Sequence, residues 1–299
     1  MRSTCINSKH FTQIAIWTIL CASIAGCNLI NPVEDAPSYL EISNFTFDPV
    51  PTSVEMGSSP STKIKDVWVY VDNEFQGAYQ LPARLPVLKT GANKILLTPG
   101  IELNGIASTR SPYPFYKGFT TDTILPENGT LKLNPSTRYF DATQCAFCES
   151  FDGSGFSLAP TGQSDTIMYQ LSPGDTNIFE GAGSGVVYLD TSNTQFEFAS
   201  TTFYELPGSG AAVFLELNYK CSQEMQVGLY IDVPSSGLEQ IPIYNLNPTP
   251  TWNKIYIQLG YVVSTYSYSD KFKIYFKGVK KPGLQKESFY LDNIKVVHF

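Results

Sequence analysis

Histidine is almost missing from this chain of 299 residues, which contains only His10 and His298. A zinc site with so few histidines would need several cysteines or carboxylates as further ligands. A serine triad would need a nucleophile elbow, and no Gly-x-Ser-x-Gly motif lies between a strand and a helix. The sequence therefore argues against both kinds of catalytic centre.

Long apolar segments are also missing. The run at residues 14–22 is shorter than the roughly 20 residues that span a bilayer, and no second run approaches that length. It follows Arg2 and Lys9 without any acidic residue, which is typical of the polar start and apolar core of an export signal. Residues 1–26 are predicted to be a signal peptide.

Basic residues are few. The chain has 20 basic and 27 acidic residues, and loss of Arg2 and Lys9 with the signal leaves 18 basic residues against 27 acidic ones. Such a chain is not expected to bind nucleic acid, and anionic lipid would repel it. Any attachment to a membrane must therefore come from a lipid anchor.

Residues 23–27, Ser-Ile-Ala-Gly-Cys, resemble the lipobox of bacterial lipoproteins. The resemblance implies cleavage before Cys27 and acylation of that cysteine, with two or more chains giving stable anchorage. Residues 27–37, which contain two prolines, would then form a tether. The alternative is an ordinary cleaved signal in which Cys27 is incidental.

Three cysteines remain besides Cys27 in the mature chain: Cys145, Cys148 and Cys221. In an oxidising compartment we expect one disulfide among them, with the pairing left open. The Cys-x-x-Cys spacing also occurs in redox motifs, but those lie at the start of a helix, whereas residues 141–155 look like a loop. A structural bridge is favoured over a redox site or free thiols.

A helical apolar stripe is absent, and hydrophobic residues instead alternate, as in residues 67–71, 213–219 and 272–276. Glycine and proline fall between these runs, which is typical of sandwiches and barrels. The sequence predicts an all-β protein with two β-sandwich domains, residues 38–140 and 141–299, the second a jelly roll.

Residues 69–79 and 85–97 resemble PEGA-type small β-sandwich modules, in which Asp72-Asn73 and Thr90-Gly91 would form turns. Residues 147–153, 183–190, 251–257 and 289–297 resemble strands of carbohydrate-binding and galactose-binding jelly rolls. That resemblance implies a structural calcium ion held by Glu149 and Asp292, with oxygen ligands that suit the ion. The alternative is that Asp292 and Asn293 only shape a bulge. No other cofactor is expected.

Two aromatic groups are candidate binding sites. Arg110, Tyr113, Phe115 and Tyr116 lie in a proline-stiffened segment whose residue types anchor protein interfaces, although the rings could equally plug the first domain's core. Tyr261, Tyr266 and Tyr268 flank a Ser/Thr-rich stretch and could stack on sugar rings. Paired carboxylates among Glu197, Glu205, Glu216 and Asp232 would be needed for a glycoside hydrolase.

Together these features resemble outer-membrane lipoproteins of the Bacteroidota. Surface-exported lipoproteins of that group tend to carry acidic residues directly after the lipidated cysteine, whereas here Glu34 and Asp35 come late. The resemblance therefore favours the periplasmic face over the cell surface. The leading prediction is a non-catalytic, lipid-anchored binding or scaffolding subunit for another envelope protein, in a secretion, gliding or uptake assembly. The alternatives are a surface glycan-binding lipoprotein that holds polysaccharide and, less favoured, a carboxylate-dependent glycoside hydrolase.

Overall fold

The structure is a computed structural model that describes residues 36–49, 59–234, 236–266, 269 and 271–299. Strands dominate these residues, and the one helix among them, α1, spans Gly260–Thr265. The predicted all-β class is confirmed. No helix in the described ranges has the length and apolarity needed to cross a membrane. The predicted signal peptide and Cys27 lie outside the described residues.

The first sandwich contains ten strands: β1 (Ser38–Ile42), β2 (Thr46–Phe47), β3 (Asp66–Val71), β4 (Glu74–Gln80), β5 (Ala83–Val87), β6 (Gly91–Glu102), β7 (Arg110–Pro112), β8 (Phe119–Leu125), β9 (Thr130–Leu133) and β10 (Ser136–Thr137). The sheet β5-β1-β9 packs against the sheet β4-β3-β6-β7, in which β8 also pairs with β6. Leu40, Val69 and Leu97 are among the buried residues that join the two sheets.

The alternation of β3 explains how this sandwich forms. Its valines are completely buried, while Trp68 and Tyr70 between them lie on the outer face, because successive side chains of a strand point to opposite sides. Asp72 and Asn73 connect β3 to β4 with φ angles of 49° and 66°, which suit a two-residue hairpin turn. The turn lies where the sequence predicted it.

The second sandwich contains eleven strands: β11 (Gln144–Glu149), β12 (Leu158–Pro160), β13 (Tyr169–Gln170), β14 (Gly185–Leu189), β15 (Gln195–Ser200), β16 (Val213–Cys221), β17 (Met225–Val233), β18 (Gly237–Leu246), β19 (Thr249–Gln258), β20 (Phe272–Val279) and β21 (Glu287–His298). A six-stranded sheet, β13-β14-β21-β16-β19 with β11 beside β21, packs against the five-stranded sheet β12-β15-β20-β17-β18. This arrangement is consistent with the predicted jelly roll.

The two sandwiches meet on the outer face of the six-stranded sheet. β16 is buried on both sides, because Leu215 and Leu217 face the five-stranded sheet while Phe214 faces the first sandwich. The backbone N–H of Asn104, just after β6, donates to the Tyr256 carbonyl of β19 over 2.8 Å. The first sandwich therefore covers a face that would otherwise be exposed.

The aromatic segment predicted to dock a partner fills this junction instead. Tyr113, Phe115 and Tyr116 are 1%, 0% and 1% exposed and pack with Phe214 of the second sandwich. Arg110 makes an ion pair with a carboxylate of the same chain, 2.8 Å from Asp66. The prediction that these residues form a protein-docking surface is wrong, because their rings and charge already bind partners within the chain.

Cys145 and Cys148 form a disulfide, and Cys221 is a buried free thiol. Burial raises the pKa of the Cys221 thiol to about 11. The disulfide lies on β11 across a register shift rather than in the loop that the sequence suggested. Pairing of β11 with the last strand explains the difference, since the interruption is a local bulge in a continuous strand.

Candidate binding face of the second sandwich

The outer face of the five-stranded sheet carries polar side chains from four adjacent strands. On β17 and β20 the apolar residues point into the core, so the residues between them point outward. Cross-strand register brings in residues of β15 and β18 on the same side. We call this group the polar face: Glu197, Gln226, Tyr230, Gln240, Asn245, Tyr275 and Lys277.

Glu197 is the centre of the polar face. Its carboxylate is buried and accepts hydrogen bonds from the Tyr230 hydroxyl, from Thr161 Oγ1 at 2.7 Å, from Gln240 Nε2 at 2.8 Å and from Lys277 Nζ at 3.1 Å. Burial raises the pKa of Glu197, but these hydrogen bonds outweigh it and leave the pKa below its ordinary value. The charged carboxylate thus fixes the orientation of the side chains around it.

An open groove with a volume of about 240 Å³ lies at one end of the polar face. Gln226, Asn245 and Lys277 line it, together with Gln223 and Glu224 from the turn before β17. The Tyr275 hydroxyl donates to Gln226 Oε1 over 3.1 Å. Gln223 Oε1 is buried with no hydrogen-bond partner among the described residues. The groove therefore offers amide donors and acceptors and an ammonium group to a ligand.

Hydrolysis is not supported by this arrangement. Glycosidases use two carboxyl groups about 5 to 9 Å apart, and the Glu197 carboxylate already accepts hydrogen bonds from four side chains. Asp232 lies near the far end of β17, Glu205 is exposed between β15 and β16, and Glu216 lies on the opposite sheet. The face is suited to holding hydroxyl-rich molecules by hydrogen bonds.

The three tyrosines predicted to contact glycan do not form a shared surface in the described residues. Tyr261 is 80% exposed on α1, whereas Tyr266 packs against the core of the second sandwich. Tyr268 lies outside the described residues. One exposed ring on a short helix is a weaker platform than the sequence suggested.

The predicted calcium ligands are both buried and hydrogen-bonded. Glu149 accepts from the backbone N–H groups of Phe151 and Ser157, at 2.8 and 2.6 Å. Asp292 accepts from the Ser184 hydroxyl and, over 2.7 Å, from the backbone N–H of Asn293, whose φ of 47° accompanies a register shift between β16 and β21. The local backbone at Asp292 and Asn293 is thus the bulge that the alternative interpretation predicted.

The charge around Asp292 is relevant to the calcium prediction. Burial, together with the negative charges of Glu180 and Asp152, raises the pKa of Asp292 to about 7. Carboxylates in such a setting are the hard oxygen donors that calcium prefers. However, the described part of the chain has no group of three or more carboxylate, cysteine or histidine side chains placed to hold a metal ion. Calcium binding stays a prediction.

The polar face was not predicted from the sequence. Its signal is present in β17, where Gln226 and Tyr230 occupy the positions between buried apolar residues. Alternation alone does not distinguish an outer face that remains open from one that another domain covers. The partners of Glu197 come from strands far apart in sequence, so their convergence could not be read from spacing.

No protein family matches the chain by sequence, and no curated protein matches it. Similar solved structures include the CBM22-2 xylan-binding domain of Xyn10C from Paenibacillus barcinonensis, 16% identical, with a TM-score of 0.36 over 52% of this chain and 99% of that one. A carbohydrate-binding module of the β-sandwich superfamily is 11% identical, with a TM-score of 0.39 over 89% of this chain and 99% of that one. TmCBM61 in complex with β-1,4-galactotriose is 12% identical, with a TM-score of 0.32 over 50% and 92%. Similarity this distant carries no argument about function, which has to rest on this chain's own side chains.

Proposed function

We propose that this chain is a non-catalytic glycan-binding protein, anchored to the outer membrane by lipid on Cys27, that holds polysaccharide on the polar face. The observation that carries the proposal is the amide-lined groove. Gln226 and Asn245 are ordered by neighbours but keep unused hydrogen-bonding capacity, and Gln223 Oε1 has no partner in the described chain. Sugar hydroxyls both donate and accept, so they match such a surface.

Scaffolding of another envelope protein is the weaker alternative. The surface on which that reading depended, around Tyr113 and Phe115, is buried between the sandwiches. Glycan binding on the polar face does not depend on a surface that is buried between the two sandwiches. It also suits a face whose main charge, Glu197, is satisfied by four hydrogen-bond donors.

Affinity gel electrophoresis tests the proposal with xylan, galactan and mannan as soluble probes and residues 28–299 as the protein. We expect retardation by at least one polysaccharide. Replacing Gln226 and Asn245 together by alanine should weaken binding by about tenfold or more, since two ordered hydrogen-bonding groups are lost. Gln144→Ala, which removes an exposed amide at the start of β11, is the matched control.

Two results would contradict the polar face as the binding site. One is unchanged retardation of the Gln226→Ala, Asn245→Ala variant. The other is equal weakening by Gln144→Ala.

The membrane anchor is tested independently in cells: we expect labelled palmitate to be incorporated by the full-length chain and lost in Cys27→Ser, with release from the membrane fraction. Protease digestion of intact cells would distinguish the cell surface, where a glycan-binding lipoprotein would be cleaved, from the periplasmic face that the residues after Cys27 favour.

A further inference from the structure

Three aromatic side chains lie together on the outer face of the first sandwich, far in sequence from the polar face. The ring centroids of Trp68 and Phe75 are 5.4 Å apart with an interplanar angle of 28°, and those of Tyr70 and Phe75 are 5.2 Å apart. Trp68 and Tyr70 come from β3 and Phe75 from the neighbouring β4. We call these three residues the ring platform.

Gly100 lets the indole of Trp68 lie close against the sheet. This glycine faces Asp66 across β3 and β6, and a Cβ atom built on it would come within 3.1 Å of Trp68 Nε1 and 3.2 Å of Trp68 Cδ1. The five-membered edge of the indole therefore rests where a larger residue would place its side chain. Glycine in a strand often marks such a close approach.

The ring platform adds little to the interior of the first sandwich. None of its rings belongs to the cluster of buried and adjoining residues that forms that core, and Phe75 is 52% exposed. The indole N–H of Trp68 is buried without a hydrogen-bond partner in the described chain, which opposes folding. Packing in the core of the first sandwich therefore does not account for three rings at this place.

The carboxylates beside the ring platform are already engaged in ion pairs. Asp66, next to Trp68, and Glu102 share Arg110, at 2.8 and 3.4 Å. Glu74, next to Phe75, and Asp72 share Lys89, at 2.9 and 3.5 Å. The residue opposite Trp68 on β6 is Thr98, an uncharged hydroxyl. The surface thus combines aromatic rings with a hydroxyl, and the carboxylates at its border are engaged in ion pairs within the chain, which suits a neutral ligand.

We propose that the ring platform is a second carbohydrate-binding site, which stacks against the pyranose rings of a neutral polysaccharide. The C–H face of a pyranose is apolar and packs on an aromatic ring, while its hydroxyls reach polar groups at the edge such as Thr98. A protein partner would be expected to insert anchor residues into well-packed pockets. The exposed Phe75, with the half-buried Trp68 and Tyr70 beside it, instead offers ring surface to a flat, extended chain. This site goes beyond the polar face and binds whether or not that face does.

The test is affinity gel electrophoresis of residues 28–299 with xylan, galactan and mannan, as for the polar face but with different variants. Phe75→Ala and Trp68→Ala should each weaken retardation by about tenfold, the scale of losing a stacked ring and its buried area. Tyr169→Ala, which removes a 51% exposed ring on β13, should leave it unchanged. Gly100→Ala keeps all three rings but displaces the indole, and should also weaken binding.

Tryptophan fluorescence gives a second, local readout. Residues 28–299 contain only Trp68 and Trp252, so the Trp252→Phe variant reports on Trp68 alone. We expect the polysaccharide that retards the protein to change the emission of Trp68 in a saturable way. Phe75→Ala should raise the polysaccharide concentration that gives half of this change. Far-ultraviolet circular dichroism and the thermal midpoint check that each variant remains folded. Phe75 is exposed, so its replacement should leave both unchanged.

Each outcome has a definite meaning. Loss of binding on Phe75→Ala but not on Tyr169→Ala supports the ring platform, whatever the polar-face variants do. Retardation that responds only to Gln226→Ala with Asn245→Ala would overturn the ring platform and leave the polar face as the site. Absence of retardation by all three polysaccharides would overturn both sites. A protein crosslinked in cells through the ring platform, with no effect of its variants on polysaccharide, would overturn the sugar assignment.

Discussion

Glu216 shows how one carboxylate can hold two domains together. It accepts hydrogen bonds from Tyr113 and Tyr139 of the first sandwich and pairs with Lys254 of its own sheet at 3.0 Å, with no exposed surface. Burial raises the pKa of Glu216, but the charges of Lys254 and Lys295 and the hydrogen bond from Tyr113 lower it by more. The pKa therefore lies below its ordinary value, and the carboxylate is charged. Burial, with the charge of Lys254, lowers the pKa of Lys295 to about 8.

We predict that Glu216→Gln destabilises the protein by about 3–5 kcal/mol, because it leaves buried lysine charge without its counter-charge. Urea unfolding followed by circular dichroism measures the change. Glu205→Gln, at an exposed site, is the control and should shift stability by less than about 0.5 kcal/mol. Similar midpoints for the two variants would mean that Glu216 contributes no more than a surface carboxylate.

Asp292 should make stability depend on pH in an unusual direction for a carboxylate. Its folded pKa of about 7 lies above the ordinary 3.8, so the folded protein binds the proton more tightly. The stabilisation is complete below pH 3.8 and is lost as the pH rises through about 7. Asp292→Asn should remove this slope and be more stable than the original chain above that pH, as urea midpoints on both sides of the pKa would show. An unchanged slope would assign the pH dependence to other groups.

Calcium should act on the same residue if the predicted site exists. A cation would offset the repulsion among Asp292, Glu180 and Asp152, so millimolar calcium near neutral pH should raise the thermal midpoint. Magnesium is the control ion, and Asp292→Asn and Glu149→Gln are the matched variants. A thermal midpoint that is the same with calcium and with chelator would contradict the prediction that this site binds calcium.

At the scale of single elements, alternation predicted the strands but not what covers them. β3, β16 and β20 are the strands expected from residues 67–71, 213–219 and 272–276, and the hairpin turn at Asp72 was predicted as well. Nothing in β16 distinguishes Glu216, covered by another domain, from Gln226 on β17, which lines an open groove. That difference depends on contacts more than a hundred residues apart, such as Tyr113 with Glu216.

The segment from Tyr113 to Tyr116 behaves as a plug between the sandwiches, so its loss should affect folding first. Phe115→Ala is predicted to lower stability by about 3–5 kcal/mol, the usual range for removing a buried phenylalanine. Leu88→Ala, at a 75% exposed site of the same sandwich, is the control. Chemical denaturation measures both. Nearly equal effects would mean that the ring is accessible, as a docking surface requires.

At the scale of the whole molecule, the interface argues for a single cooperative unit. It combines buried rings, the ion pair of Glu216 and Lys254, and a backbone hydrogen bond between Asn104 and Tyr256. Separation would expose Phe214 and leave Glu216 without the two tyrosine hydroxyls that it accepts from. Relative motion of domains is the default only when their interface is small or polar. The polar face and the ring platform are therefore expected to keep a fixed spacing, which would let one extended polysaccharide or two chains engage both sites.

Calorimetry tests this coupling. Residues 28–299 should unfold in one transition whose van't Hoff and calorimetric enthalpies agree, because separating the sandwiches would expose the buried rings and remove the tyrosine partners of Glu216. Glu216→Gln should broaden or split that transition, since it weakens the contact while leaving both cores intact, and Glu205→Gln should not. Two separate transitions in the original chain would show that the sandwiches fold independently. In that case the fixed spacing of the two proposed sugar sites would be lost, and each would have to bind on its own.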